Sequence, residues 1–215
     1  MQKKLVIIGA SGHGKVVADI AKRCGYSEII FLDDNSNLKE CNGYPVVGLT
    51  NEIESYPDYE FVVAIGNATI REKFQLHISS LNYRLSTLLH PNSVIGENVI
   101  LGKGTVVMAG AVINSASIIG EGCIINTSSS VDHDNRISDY VHISVGSHLA
   151  GTVSVGKSSC IGIGAVVSNN IIIGENCIIG AGAVVIKNIM ECGTYLGVPA
   201  RRRKDENIDN SATSR

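Results

Sequence analysis

Tryptophan is absent from the 215 residues, phenylalanine occurs three times and proline four times. A core built on aromatic rings is thereby excluded, and small and aliphatic side chains must take their place. Charge is also scarce. Asp, Glu, Lys and Arg make up 18% of the chain, and the formal net charge is −2. That balance argues against a nucleic-acid binder, which carries a basic stripe. With 44% hydrophobic residues, it also argues against a disordered chain. No apolar run approaches the roughly 20 residues that cross a bilayer, so no membrane partner is expected. Lys3 and Lys4 lead into a short strand rather than the apolar stretch of a signal peptide, which points to the cytoplasm. Cys24, Cys41, Cys123, Cys160, Cys177 and Cys192 form no C-x-x-C pair. Free thiols are therefore expected, not disulfides.

What is present is glycine, 23 residues of it, and a repeat. From Val94 the chain divides into sixes: VIGENV, ILGKGT, VVMAGA and so on to VVIKNI. The second place holds Ile95, Leu101, Val107, Ile113, Ile119, Ile125, Val131, Ile137 and onward to Val185, sixteen β-branched or leucine residues with no slip in frame. A period of six fits neither a helix nor an alternating strand. It fits a solenoid of short strands joined by tight turns, with each aliphatic stacked on its counterpart one coil away. Four places after most of these aliphatics stands a small residue, such as Thr105, Ala111, Ser117 or Ser159. Glycine often follows the aliphatic directly, where a turn is expected to need positive φ.

Ahead of the repeat, residues 4–9 read as a strand, 14–23 as a helix, 28–34 as a strand, 60–67 as a strand and 71–81 as a helix. This β-α-β order implies a small parallel sheet. Between the first strand and helix lies GASGHGK, residues 9–15. A triphosphate loop needs Ser or Thr after its lysine, and this chain has Val16. A dinucleotide fingerprint needs G-x-G-x-x-G, and the glycines here run G-x-x-G-x-G. Both motifs share small residues that let backbone N–H groups approach an anion at a helix N-terminus. Asp33 and Asp34 end the next strand, where a ribose or base would be held. A solvated turn is the alternative for that acidic pair. The loop thus reads as the grip on a nucleotide used as a handle.

GASGHGK, LDD and AIGN in this order, followed directly by the hexads, closely resemble the left-handed β-helix sugar acetyltransferases. The likeness is to the bacterial nucleotide-amino-sugar N-acetyltransferases of the bacillosamine type and to sialic acid O-acetyltransferases, and it runs from Lys4 to about Arg203. The resemblance implies a Rossmann-like α/β domain over residues 1–88 and a left-handed parallel β-helix over 89–203. The polar tail 204–215 is expected to be disordered. It implies a homotrimer with active sites between subunits, and acetyl-CoA as co-substrate with no metal. By the same likeness Ser11, Gly12, His13, Asp33, Asp34 and Gly66 hold the nucleotide sugar. His133 would be the general base and Asp134 its acid partner. His142, Ile163, Gly180, Ala181 and Arg201 would contact coenzyme A, and Arg202, Arg203 and Lys204 would suit its phosphates. His133 also stands out on its own, because two carboxylates flank it in SVDHDN.

Direct acyl transfer from a thioester needs a base, an oxyanion donor and a proton for the leaving thiolate. A UDP-linked 4-amino-6-deoxy sugar is the expected acceptor, with sialic acid as the alternative. Two other readings stand beside the enzyme: a nucleotide-sugar-binding scaffold, and a carbonic-anhydrase-like zinc protein using His133, His142 and His148.

Overall fold

The computed structural model describes residues 3–203. Lys204 and the expected disordered tail, 204–215, lie outside the described residues, as do Met1 and Gln2. The N-terminal part consists of β1 (Lys4–Ile8), α1 (Gly12–Arg23), β2 (Glu28–Leu32), β3 (Glu40–Cys41), β4 (Tyr44–Gly48), β5 (Glu60–Val63) and α2 (Ala68–Ser80). Its sheet runs in the order β3-β4-β2-β1-β5, parallel except for the β3–β4 hairpin. Strand β1 is apolar after Lys4 because both of its faces are covered. Leu5 and Ile7 pack with Val17, Ala18, Ile20 and Ala21 of α1, whereas Val6 and Ile8 pack with Phe61 and with Ile78 of α2.

The elements differ locally from the sequence expectation, strands β2 and β5 ending at Leu32 and Val63 instead of residues 34 and 67. The hairpin strands β3 and β4 turn through Asn42 and Gly43 at φ 54° and 79°, the Asn-Gly signature of a tight hairpin. Helix α1 begins at Gly12 instead of residue 14. Helix α2 begins at Ala68, not residue 71, because the Asn67 side chain caps it by accepting the Ile70 N–H at 3.0 Å.

From Leu88 onward the chain winds as a parallel β-helix whose two-residue strands recur every 18 residues. Val94–Ile95 pairs with Val112–Ile113, which pairs with Ser130–Val131. Three sheets result, of six, five and eight strands. Face 1 carries Val94, Val112, Ser130, His148, Val166 and Val184 in outward places; face 2 carries Ile100, Ile118, Arg136, Ser154 and Ile172. Face 3 begins at Leu88 and includes Val106, Ile124, His142, Cys160 and Ile178. The second-place aliphatics from Val107 to Val185 point inward and are buried, as are the small residues four places on. Each buried aliphatic contributes about 1.5–3 kcal/mol.

The glycines after the aliphatics do not serve positive φ. That conformation falls two places later, for instance at Asn98, Ala116, Asp134 and Thr152, all near 60°. A Cβ at Gly102 would lie 2.4 Å from the Gly120–Glu121 peptide, and one at Gly156 2.5 Å from Glu175 N. Glycine stands there because adjacent coils touch backbone to backbone.

Candidate active site

Strand β1 delivers the opening loop to the start of α1. Gly9 takes φ +100°, and a Cβ on Gly14 would lie 2.2 Å from the Gly9 carbonyl oxygen, so the loop and first helical turn are pressed together. Ser11 is the N-cap, and its hydroxyl makes no capping bond; a Cβ on Gly12 would meet nothing within 4 Å. These two are exposed at the open side of the loop. Asp33 is already engaged, its carboxylate accepting the Ala10 N–H at 2.7 Å and the Asn35 N–H at 2.9 Å. It ties the loop to the end of β2. Asp34 turns away to accept the Thr50 N–H and hydroxyl at 3.0 and 2.7 Å. The acidic pair therefore braces the loops around the site, a role the sequence did not indicate.

The N-terminal part sits directly on face 3. Leu88, Val106, Met108 and Ile124 share one apolar cluster with α1 and β1. Arg71, 1% exposed, donates from Nε to Gly122 O at 2.7 Å and from Nη2 to Tyr140 O at 2.6 Å, both on the prism. Its Nη1 donates to the carbonyls of Ile65 and Gly66, each at 2.9 Å. Lys157 pairs with Glu72 at 2.6 Å beside it. A cleft remains between Gly66–Thr69 and the prism residues Tyr140, His142, Ser158, Cys160, Asn176 and Ile178.

His13 points not to solvent but into this junction. Its Nε2 is sealed and has no hydrogen-bond partner among the described residues. Burial, followed by the Arg71 guanidinium, pushes its pKa down to about 4. His142 is lowered to about 4 by burial, then Arg71, then His13 itself, so the two rings share one environment. Asn126 Oδ1 accepts the Thr127 N–H at 2.8 Å, which turns Nδ2 toward His142 Nε2 at 3.0 Å. That amide donates, so Nε2 accepts and the proton rides on Nδ1. His142 is a neutral imidazole with an N–H to offer.

Acid should therefore weaken the fold. The unfolded chain binds a proton on each ring below about pH 6.5, the folded chain only below about pH 4, so stability is intact above pH 6.5 and falls through that interval. The expected loss at pH 5 is about 2 kcal/mol per ring. Denaturant unfolding of the wild type and of His142→Asn at pH 7 and pH 5 measures it. Equal pH slopes in the two proteins would refute this assignment.

His133 lies on the turn between faces 1 and 2 and is 58% exposed. Its Nδ1 stands 2.7 Å from Asp134 Oδ2, while Nε2, which makes no hydrogen bond among the described residues, lies over Gly151. That bond to Asp134 raises the imidazole pKa; desolvation opposes it, and the charges of Asp132 and Asp134 add smaller upward contributions. Asp132 is itself held low by the Asn114 amide, at 2.8 Å, and by the His133 N–H, at 2.9 Å. A neutral imidazole oriented by a carboxylate can accept a proton from an attacking amine or hydroxyl and return it to a leaving group.

The His133 corner is the vertex opposite face 3. Within one chain it points away from His13, His142 and the opening loop. His148, on face 1, joins neither, so one chain does not gather the three prism histidines. Ile163, Gly180 and Ala181 stack on the corner between faces 3 and 1, next to the face of His142. Ile163 is 62% exposed there, and Leu196 packs where a Cβ on Gly180 would lie. Arg201 and Arg202 form a short strand against Gly193–Leu196. Arg202 is paired with Glu191 at 2.5 Å, while among the described residues the Arg201 guanidinium reaches only the Ala200 carbonyl, at 2.9 Å. Arg203 follows, exposed.

The sequence reading overlooked Arg71, Asn126 and Asn135. Asn135 had a visible signal, as the carboxamide in the small inward place of the SVDHDN hexad. Arg71 had none, because nothing local marks a surface-type residue as one that another domain will cover.

Residues 4–77 match the family described as the PglD N-terminal domain. GDP-perosamine N-acetyltransferase of Escherichia coli O157:H7 is 32% identical over 163 residues, 73% of this chain and 74% of that protein. UDP-N-acetylbacillosamine N-acetyltransferase of Bacillus subtilis strain 168 is 38% identical over 107 residues, 47% of this chain and half of that protein. The acetyltransferase domain of PglB from Neisseria gonorrhoeae FA1090, solved with acetyl coenzyme A, superposes with a TM-score of 0.91 at 40% identity. It covers 94% of this chain and all of that one. The fold is thus shared along nearly the whole length, and the chain belongs to the family of nucleotide-sugar N-acetyltransferases.

Proposed function

We propose that the protein acetylates the amino group of a 4-amino-6-deoxy sugar carried on a nucleoside diphosphate, with acetyl-CoA as donor and His133 as general base. The observation that carries this reading is the cleft between Gly66–Thr69 of the N-terminal part and Tyr140, His142 and Cys160 of the prism. A sugar whose nucleotide is held by the N-terminal part is led along it to the acyl donor. Because the His133 corner lies opposite that cleft, a complete site needs two chains, with the corner of one subunit closing on face 3 of its neighbour in a homotrimer.

In this arrangement His133 Nε2 takes the proton from the amine as nitrogen attacks the thioester carbonyl. Asp134 holds Nδ1–H and stabilises the imidazolium that forms. The neutral Nδ1–H of His142 is placed to meet the developing oxyanion. Collapse breaks the C–S bond, and the imidazolium returns its proton to the thiolate. The exposed corner of Ile163, Gly180 and Ala181 offers a narrow apolar track for the pantetheine arm. Arg201 and Arg203 supply exposed guanidinium groups for phosphate; Arg202 is committed to Glu191. Asp33 and Asp34 act by shaping the nucleotide loop, with Ser11, Gly12 and Gly66 at its open side.

UDP was the carrier suggested by the sequence, but the E. coli relative is named for a GDP sugar and the B. subtilis relative for a UDP sugar. The test is thiol release from acetyl-CoA with GDP-, UDP- and dTDP-linked amino sugars and with free sialic acid. Turnover is expected with a nucleotide-linked amine, and turnover confined to sialic acid would overturn the acceptor assignment. The two-chain site has its own test: mixing inactive His133→Ala and His142→Ala subunits should restore about one quarter of the sites in randomly assorted trimers. No recovery would place the site within one chain.

A further inference from the structure

The His133 turn is held from beneath by a residue of a kind unique among its equivalents. The inward place four residues after each prism aliphatic, from Thr105 to Ala183, holds Thr, Ala, Ser, Cys, Val or Ile, except at Asn135. Asn135 is 0% exposed, and its carboxamide is fully used. Nδ2 donates to Asp132 O at 2.7 Å, to Ala150 O at 3.0 Å and, more weakly, to His133 O at 3.3 Å. Oδ1 accepts the Val153 N–H at 3.1 Å. The hydroxyls at equivalent places do less: Thr105 and Ser159 each accept one N–H, of Cys123 and Cys177, but donate to a single carbonyl, of Gly120 and Gly174.

The two neighbouring coils add one further restraint each. Ser117 donates to Asp132 O at 2.7 Å, and the Thr152 N–H donates to His133 O at 3.0 Å. Above them the imidazole lies over Gly151 so closely that a Cβ there would come 2.6 Å from ring atoms. The exposed side chain at the corner is thus fixed through a buried amide below its backbone and a bare backbone beneath its ring.

We propose that Asn135 is a positioning residue for catalysis, with Gly151 as the seat of the ring, the pair fixing the height and direction of His133 Nε2. The proposal rests on His133 being the general base. A hydroxyl at position 135 can satisfy one carbonyl and receive the Val153 N–H, as Thr105 and Ser159 do at their own places, but it cannot brace residues 132, 133 and 150 together. The turn then drifts by a fraction of an ångström, enough to reduce proton transfer without removing either substrate's contacts.

The experiment compares Asn135→Ser, Gly151→Ala, His133→Ala and the double variant Asn135→Ser/His133→Ala, after each is shown to be folded by circular dichroism. Asn135→Ser is expected to lower kcat about 30-fold with KM for both substrates within about two-fold, and the double variant should be no slower than His133→Ala alone. Gly151→Ala disturbs only the ring, and should show the same kcat loss even if Asn135→Ser does not fold. Full kcat in Gly151→Ala, or in a folded Asn135→Ser, would overturn the positioning role. Activity retained by His133→Ala would instead overturn the reading beneath it, so the two failures are distinct.

Discussion

Replacing His133 by alanine is expected to lower kcat about 1,000-fold while leaving KM for both substrates within a few-fold. The side chain is on the surface, 58% exposed, and supports no part of the apolar prism, so the variant should unfold as the wild type does. What it loses is the acceptor for the amine proton. Asp134→Asn keeps the imidazole but removes the charge that raises its pKa, and a smaller fall in kcat is expected. The pH profile separates the two roles. The base must be neutral, so the rate climbs as pH rises through the imidazole pKa. Without Asp134 that limb should move to lower pH, and an unmoved limb would mean that another group titrates. Undiminished kcat in folded His133→Ala would remove the base from the mechanism altogether.

The second large effect is on stability. Arg71→Met is expected to cost about 3–5 kcal/mol, because it strips the donors from four carbonyl acceptors in a dry junction. Its guanidinium is buried with no carboxylate beside it among the described residues, and burial lowers its pKa. The charge is spread instead over the carbonyls of Ile65, Gly66, Gly122 and Tyr140. Four carbonyl dipoles from two parts of the chain thus converge on one cation, and this fixes how α2 meets the prism. Thermal unfolding should show a fall on the order of 10 °C for Arg71→Met, with Arg71→Lys intermediate, since an ammonium cannot span the same four acceptors. A midpoint within about 2 °C of the wild type would show that the apolar cluster alone holds the junction. Because Arg71 also depresses the pKa of His13 and His142, the acid sensitivity of the variant should shrink as well.

Much of this molecule was open to reading before any coordinates. The hexads fix the period of the prism because each aliphatic must stack on one 18 residues away, and a slip in frame would turn side chains outward. The His133–Asp134 pair was legible because adjacent residues on one tight turn are bound to meet, as they do at 2.7 Å. The opening loop was legible as a glycine turn between strand and helix, yet the use of its aspartates was not. Asp33 looks free on paper, and only the return of the chain past Ala10 shows its carboxylate to be occupied.

The sequence by itself determined the two architectures, their order, and the residues that carry charge or a proton near the prism. Period, turn chemistry and near neighbours are local, and local features are written residue by residue. Only the tertiary structure decided that His142 lines a cleft against Gly66–Thr69, that Arg71 joins the N-terminal part to the prism, and that His133 lies across the triangle from that cleft. Those relations depend on where an 18-residue coil places each corner and on which face the N-terminal sheet covers. Both follow from packing between segments about 60 to 130 residues apart, a separation over which no local pattern in the chain reports.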